Sequence, residues 1–196
     1  LDQVAALRSL EGLAALLARL HLASRGGSML FGFDSNQDFA DSSRVIAFAS
    51  AGGLGLPDRD YYVQTEAKYV ETRAKYLEHV QRMLELAGDR PEAATAGAQT
   101  VMEIETALAK ASLTRVERRD PNNVYHKMSV ADLQALTPSF AWQRYFELVG
   151  VAGTQSLNVT HPPFFKQLEA ELAAVTIPQW QTYLRWHLVH SRAPYL

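Results

Sequence analysis

Cysteine is missing from the 196 residues. That excludes disulfide scaffolds, thiol nucleophiles and cysteine-ligated zinc, but it leaves the compartment open, because a protein outside the cytoplasm can do without disulfides. A basic run is missing too. With 19 Lys+Arg against 21 Asp+Glu the formal charge is −2, a balance that gives no footprint for nucleic acid or an anionic membrane. Long apolar runs are absent. The longest charge-free one, Val45 to Pro57, carries three glycines and is well short of the roughly 20 residues a bilayer helix needs; no stretch reads as a signal peptide. Catalytic signatures are lacking as well: no H-E-x-x-H, no G-x-S-x-G, and in Gly52-Gly53-Leu54-Gly55 neither dinucleotide-loop spacing nor the Lys-Ser/Thr pair of a P-loop.

What remains is an ordinary globular composition. Hydrophobic residues at 47% and charged residues at 20% exclude wholesale disorder and allow a sizeable core. Leu13, Leu16, Leu17 and Leu20 recur at helical spacing and predict a helix over 10–24, capped by Ser9 and ended by Gly26-Gly27. Met29 to Phe33 and Arg44 to Ala49, short apolar runs around the polar stretch Asp34 to Ser43, predict a small β-hairpin.

A second helix is expected over 64–87, with Tyr69, Tyr76, Val80, Met83 and Leu84 on one face and Gly88 as a left-handed cap. Pro91 opens a third, carrying Val101, Met102, Glu105 and Leu108 to about Ser112. The polar, irregular stretch 115–127 follows. Ser129 and Asp132 form a capping-box pattern for a short helix to Leu136, and further helices are expected over 140–149, from Pro162-Pro163 to about Ala174, and from Pro178 to the end. The fold class that results is mainly α: a multi-helix orthogonal bundle with one small β-hairpin, read as a single helical domain over 1–196. Leu1 is not a natural start and the last helical pattern runs to Leu196, so the chain reads as a piece of something longer.

Six histidines prompt a search for a metal site. His187 and His190, three apart on the last helix, could share a face, but no Glu stands between them and no third ligand is evident; they read as ordinary helix histidines. His21, His79 and His161 read as surface or capping positions, and His126 sits beside Lys127, which disfavours a bound cation. Glu103 and Glu105, two apart, cannot share a helix face. Asp58 and Asp60 flank Arg59 in a turn, where carboxylates usually accept backbone N–H bonds. Asn158-Val159-Thr160 is a glycosylation sequon of the kind that often arises by chance. These residues supply no catalytic, cofactor-binding or metal-binding set.

Two blocks carry more. Gly53 to Tyr62 reads GLGLPDRDYY, and Arg119 to Phe146 reads RDPNNVYHKMSVADLQALTPSFAWQRYF. Both resemble, in order and separation, the N-terminal region of the neprilysin-like (M13) zinc metallopeptidases. LFGFDSNQDFADSSRVIAF (Leu30 to Phe48) and YLRWHLVHSRAPYL (Tyr183 to Leu196) look like that family too, so the resemblance covers nearly the whole chain. It implies a helical cap region of an extracytoplasmic zinc endopeptidase, enclosing a peptide-substrate cavity against a catalytic domain that lies outside this sequence. It also implies zinc in that other domain and none here, with peptide substrates and the catalytic domain as partners. The alternative is a stand-alone helical interaction module without enzymatic activity.

Within the first block Gly55 is expected to permit a tight or positive-φ turn, and Pro57 pre-sets the turn that follows. Tyr61 and Tyr62 are expected to anchor that turn on the helices. In the last helix Trp180, Tyr183, Leu184, Trp186 and Leu188 exceed one stripe, and an exposed apolar patch driving self-association is expected there.

Overall fold

A computed structural model describes residues 1–23 and 29–193; the expected helix end at Gly26-Gly27 and the last residues, Tyr195-Leu196, lie outside them. A short helix α1 (Asp2–Ala5) precedes a 3-10 turn and α2 (Leu13–Ala23), whose Leu13, Leu16, Leu17 and Leu20 all face the core. Ser9 stands at the cap position without a side-chain cap bond.

The hairpin is longer than its apolar runs suggest. Strands β1 (Phe31–Asp38) and β2 (Asp41–Ala51) pair antiparallel from Phe31↔Ala51 to Gln37↔Val45, with a bulge before Asp38. The polar stretch expected to loop is thus mostly strand. It reads as loop because its side chains from Asp34 to Gln37 and from Asp41 to Val45 all face water, so no alternation marks it.

Next come α3 (Asp60–Val63), α4 (Ala67–Leu86) and α5 (Pro91–Lys110), the last two packed against each other. Helix α4 ends with Gly88 at φ +102°, its N–H donating to Glu85 and that of Asp89 to Leu84, the two-bond pattern that closes a helix on a left-handed residue. After α6 (Pro121–Val124) and β3 (Lys127–Ser129) the capping box forms as expected: Ser129 and Asp132 exchange bonds at the start of α7 (Val130–Leu136). Helix α8 (Trp142–Leu148), strand β4 (Ser156–Val159), α9 (Pro162–Ala174) and α10 (Ile177–Arg192) complete the chain. The fold is mainly α, and the hairpin is half of a four-stranded sheet of order β1-β2-β4-β3, in which β4 runs parallel to β2 and antiparallel to β3. At three and four residues, β3 and β4 are too short to show a period.

One core lies between the sheet and helices α2, α8, α9 and α10. At its centre Phe31, Phe140, Trp142, Tyr145 and Phe165 pack edge-on or tilted with ring centroids 4.6–6.3 Å apart, geometries that favour aromatic pairs beyond their buried area. A smaller core, with Tyr76, Val80, Leu84, Val101 and Trp186, joins α4, α5 and α10. Trp180, Tyr183, Leu184 and Trp186 are all fully buried in these two cores. The bare patch expected on the last helix is therefore not formed by them: one helix serves two cores, which is why it carries more apolar residues than one stripe requires.

His21, expected at the surface, is instead 3% exposed. Its Nδ1 lies 2.7 Å from the Tyr145 hydroxyl and its Nε2 2.8 Å from the Met29 carbonyl. Burial lowers its pKa, and the Met29 carbonyl only partly opposes this. The unfolded chain, with an ordinary histidine near 6.5, therefore takes up a proton before the folded one does. His21 leaves stability unchanged above that value and subtracts from it as pH falls below, by at most about 1.4 kcal/mol per pH unit. Urea unfolding should show a midpoint that is flat from pH 8 to 7 and falls below 6.5, with a smaller fall in His21→Asn. Equal slopes for the two proteins would refute this account.

Candidate functional site

The block Gly53–Tyr62 runs from the end of β2 into α3, and three other helices hold it. Gly53 is at φ +76°, and its carbonyl accepts the Tyr183 hydroxyl of α10 at 2.8 Å. Of the two conformations expected for it, Gly55 does not take the positive-φ one. Its requirement is space: a Cβ there would lie 1.9 Å from the Tyr76 hydroxyl. Asp58 behaves as expected of a turn carboxylate, accepting the Asp60 N–H at 2.9 Å, with Arg115 3.7 Å from its other oxygen. Asp60 sits in the first turn of α3, where a negative charge suits the helix dipole. Arg73 of α4 donates to the carbonyls of Tyr61 and Gln64, both at 2.8 Å.

Beneath the loop is a buried polar node. Glu105, on the inner face of α5 and fully buried, accepts the Tyr62 hydroxyl at 2.6 Å and the Tyr76 hydroxyl at 2.9 Å. His187 Nε2 of α10 is 2.9 Å from the same carboxylate. The Tyr62 oxygen in turn accepts the Leu56 N–H (2.8 Å), and that of Tyr76 accepts Trp186 Nε1 (3.0 Å). One carboxylate thus ties the loop, α3, α4, α5 and α10 together. Burial, then the negative Glu105 beside them, raises both tyrosine pKa values far above their usual range, so both remain protonated donors. Glu103 points to solvent, as the spacing requires.

The second block braces the sheet. Asp120 caps α6 by accepting the Asn122 N–H at 2.9 Å, ahead of Pro121 in the first turn. Tyr125 and Lys127 converge on the buried Asp38 at 2.5 and 2.6 Å. The Lys127 and Tyr125 bonds hold that carboxyl at about 2, below its usual range. Asn158, the sequon residue, is fully buried; its side chain accepts the His126 N–H at 2.6 Å and donates to the Val124 carbonyl at 2.8 Å. In this fold it is closed to glycosylation.

Between the two blocks lies a cleft of about 360 Å³. It is lined by the end of β2 and Gly52, by the loop residues Leu54 and Leu56 to Arg59, and by Leu113, Arg118, Val124 and His161 among others. His161 is the residue before α9, and its pKa is lowered by burial and by nearby His126. The remaining histidines gather around Trp186: His190 is 4.8 Å and His79 5.6 Å from it, centroid to centroid. Among the described residues no three His, Cys, Asp or Glu side chains are grouped to hold a metal ion. The Tyr62 and Tyr76 hydroxyls and the His187 imidazole surround the Glu105 oxygens. No helix of the described residues is long and apolar enough to cross a membrane.

Comparison with known proteins supplies the frame. The family model of peptidase family M13, N-terminal part, matches residues 1–196. Endothelin-converting enzyme 1 of Cavia porcellus is 29% identical over 173 residues, 86% of this chain and 23% of that protein. Neprilysin-3 of Drosophila melanogaster is 28% identical over 176 residues, 83% of this chain and 22% of that protein. Among solved structures, the Mycobacterium tuberculosis zinc metalloprotease Zmp1 in complex with an inhibitor superimposes with a TM-score of 0.90 at 28% identity, over 100% of this chain and 30% of that one. PepO from Lactobacillus rhamnosis, at 16% identity and a TM-score of 0.67, shares the fold. The chain spans about a quarter of the length of the curated relatives it matches.

Proposed function

Because this chain belongs to peptidase family M13, as the N-terminal helical part of a neprilysin-like metallopeptidase, we propose that it caps a zinc-dependent endopeptidase and encloses the cavity that receives peptide substrates. Residues 1–196 act as one helical domain in this reading. Zinc and the water it activates belong to the other part of the enzyme, and the partners are that catalytic part and the peptides. We place the enzyme outside the cytoplasm, as the family resemblance implies. The observation that carries the reading is the superposition of the whole chain on under a third of a zinc metalloprotease.

The chain's own contribution is a stiff wall. The Glu105 node fixes the loop from Leu56 to Tyr62 against three helices, so the loop's cleft residue Arg59 meets a peptide from a preset backbone, which lowers the ordering cost of binding. No bond-breaking step is assigned to any residue of the cleft. The 196-residue chain alone should hydrolyse no peptide and hold far less than one zinc per molecule by elemental analysis; chelator-sensitive hydrolysis with stoichiometric zinc would overturn the reading. An H-E-x-x-H motif in the reading frame after residue 196 separates the peptidase cap from the rival interaction module. Self-association has no support in the burial of Trp180, Tyr183, Leu184 and Trp186.

A further inference from the structure

Strand β4 ends before its neighbour β2 does. Ala49 is paired with Val159 and its carbonyl accepts the Thr160 N–H at 2.9 Å, after which the chain turns into α9 at Pro162. Strand β2 continues to Ala51, paired on its other side with Phe31. Alternate residues of a strand direct their N–H and C=O to the same neighbour. Ala51, in phase with Ala49, therefore directs both groups to the side on which β4 has ended. That side is the cleft: Ser50, Ala51 and Gly52 line it and are only half-buried.

The same cleft is lined by basic and apolar side chains. Leu113, Val124, Arg118 and His161 all line it, and Arg118, exposed, forms no ion pair among the described residues. The carboxylates nearby are engaged: Asp58 with the Asp60 N–H and Arg115, Glu117 with Thr114. An open ladder position in the same cleft as an unpaired guanidinium is suited to a main chain that carries its own carboxylate.

We propose that an extended peptide with an acidic side chain adds to β2 at Ala51 as a short strand, in line with β4, and directs its carboxylate to Arg118 and His161. The inference rests on the reading of the chain as a peptidase cap, whose substrates would supply such strands.

The test uses the 196-residue chain and an acetylated, amidated hexapeptide of alternating valine and threonine with one central aspartate. Two analogues accompany it, one N-methylated at alternate amides and one with Asn for Asp. NMR titration should move the Ala51 amide signal. N-methylation on the pairing side should weaken binding about fivefold, the share of one or two backbone hydrogen bonds. Arg118→Gln should weaken the aspartate peptide by a similar factor and leave the Asn analogue unchanged, and Ala51→Pro, which spares the ladder to β1, should abolish binding. Equal binding of the N-methylated peptide would overturn strand addition, as would shifts confined to other residues, or a concentration-dependent Ala51 shift without peptide, which would mark a second copy as the occupant. A failure of the cap reading would show separately, as zinc-dependent hydrolysis by the chain itself.

Discussion

Glu105→Ala is expected to cost about 3–5 kcal/mol, the range for removing one partner from a buried charged network. The substitution strands the Tyr62 and Tyr76 hydroxyls, each buried and each losing its acceptor, and an unsatisfied buried donor costs about 1–3 kcal/mol. It also leaves His187 Nε2 without its partner at 2.9 Å and opens a cavity at the junction of α4, α5 and α10. For a chain of this length the melting temperature should fall by roughly 10 °C or more. Glu105→Gln keeps one acceptor oxygen in place and should recover about half of the loss. A denaturant-unfolding series of the two variants measures this directly. An alanine variant within about 1 kcal/mol of the parent would mean that water enters the node and replaces the carboxylate.

Gly55→Ala should be the next most damaging of the changes considered, at about 1–3 kcal/mol, the usual cost of overpacking. The reason is not backbone conformation, which an alanine tolerates at this position, but the Tyr76 ring, whose hydroxyl would stand 1.9 Å from the new methyl and whose nearest ring carbon would stand 2.7 Å away. Tyr76 cannot swing aside freely, because its hydroxyl both donates to Glu105 and accepts from Trp186. Any relief therefore disturbs Trp186, and the variant should show altered tryptophan emission together with a lowered melting temperature. Unchanged emission and an unchanged melting temperature would show that the loop itself moves away at no cost.

Much of this fold was legible because its helices announce themselves. Leucine periodicity marked α2, Pro91 and Gly88 bracketed the α4–α5 turn, and Ser129 with Asp132 marked α7. The sheet was half visible: the water-facing part of the hairpin has no alternation, and β3 and β4 are short strands whose pairing depends on residues distant in sequence. The node was hidden for a similar reason. Glu105 stands on the apolar stripe of α5 with Val101 and Leu108, which marks a buried carboxylate, but its partners come from α3, α4 and α10. His21 gave no local sign of burial, since Tyr145 and Met29 reach it only through the tertiary fold. The sequence marks Gly55 as a turn glycine but does not show that the close approach of Tyr76 is what requires it, and it does not mark Gly53, which combines a positive φ with close contact to Tyr183 and the Leu30 backbone.

The parallel pairing of β2 with β4 also sets an order of events in time. Phe48 finds its neighbour at Asn158, about 110 residues later, so during synthesis at 5–20 residues per second the completed hairpin waits roughly 5–20 s for the strand that covers its inner edge. Closing so long a loop carries an entropic cost that local helix formation does not. Over that interval β2 is an unpaired strand edge in a nascent chain, which makes this stretch the natural place for a chaperone to hold the polypeptide, or for two growing chains to pair wrongly with one another.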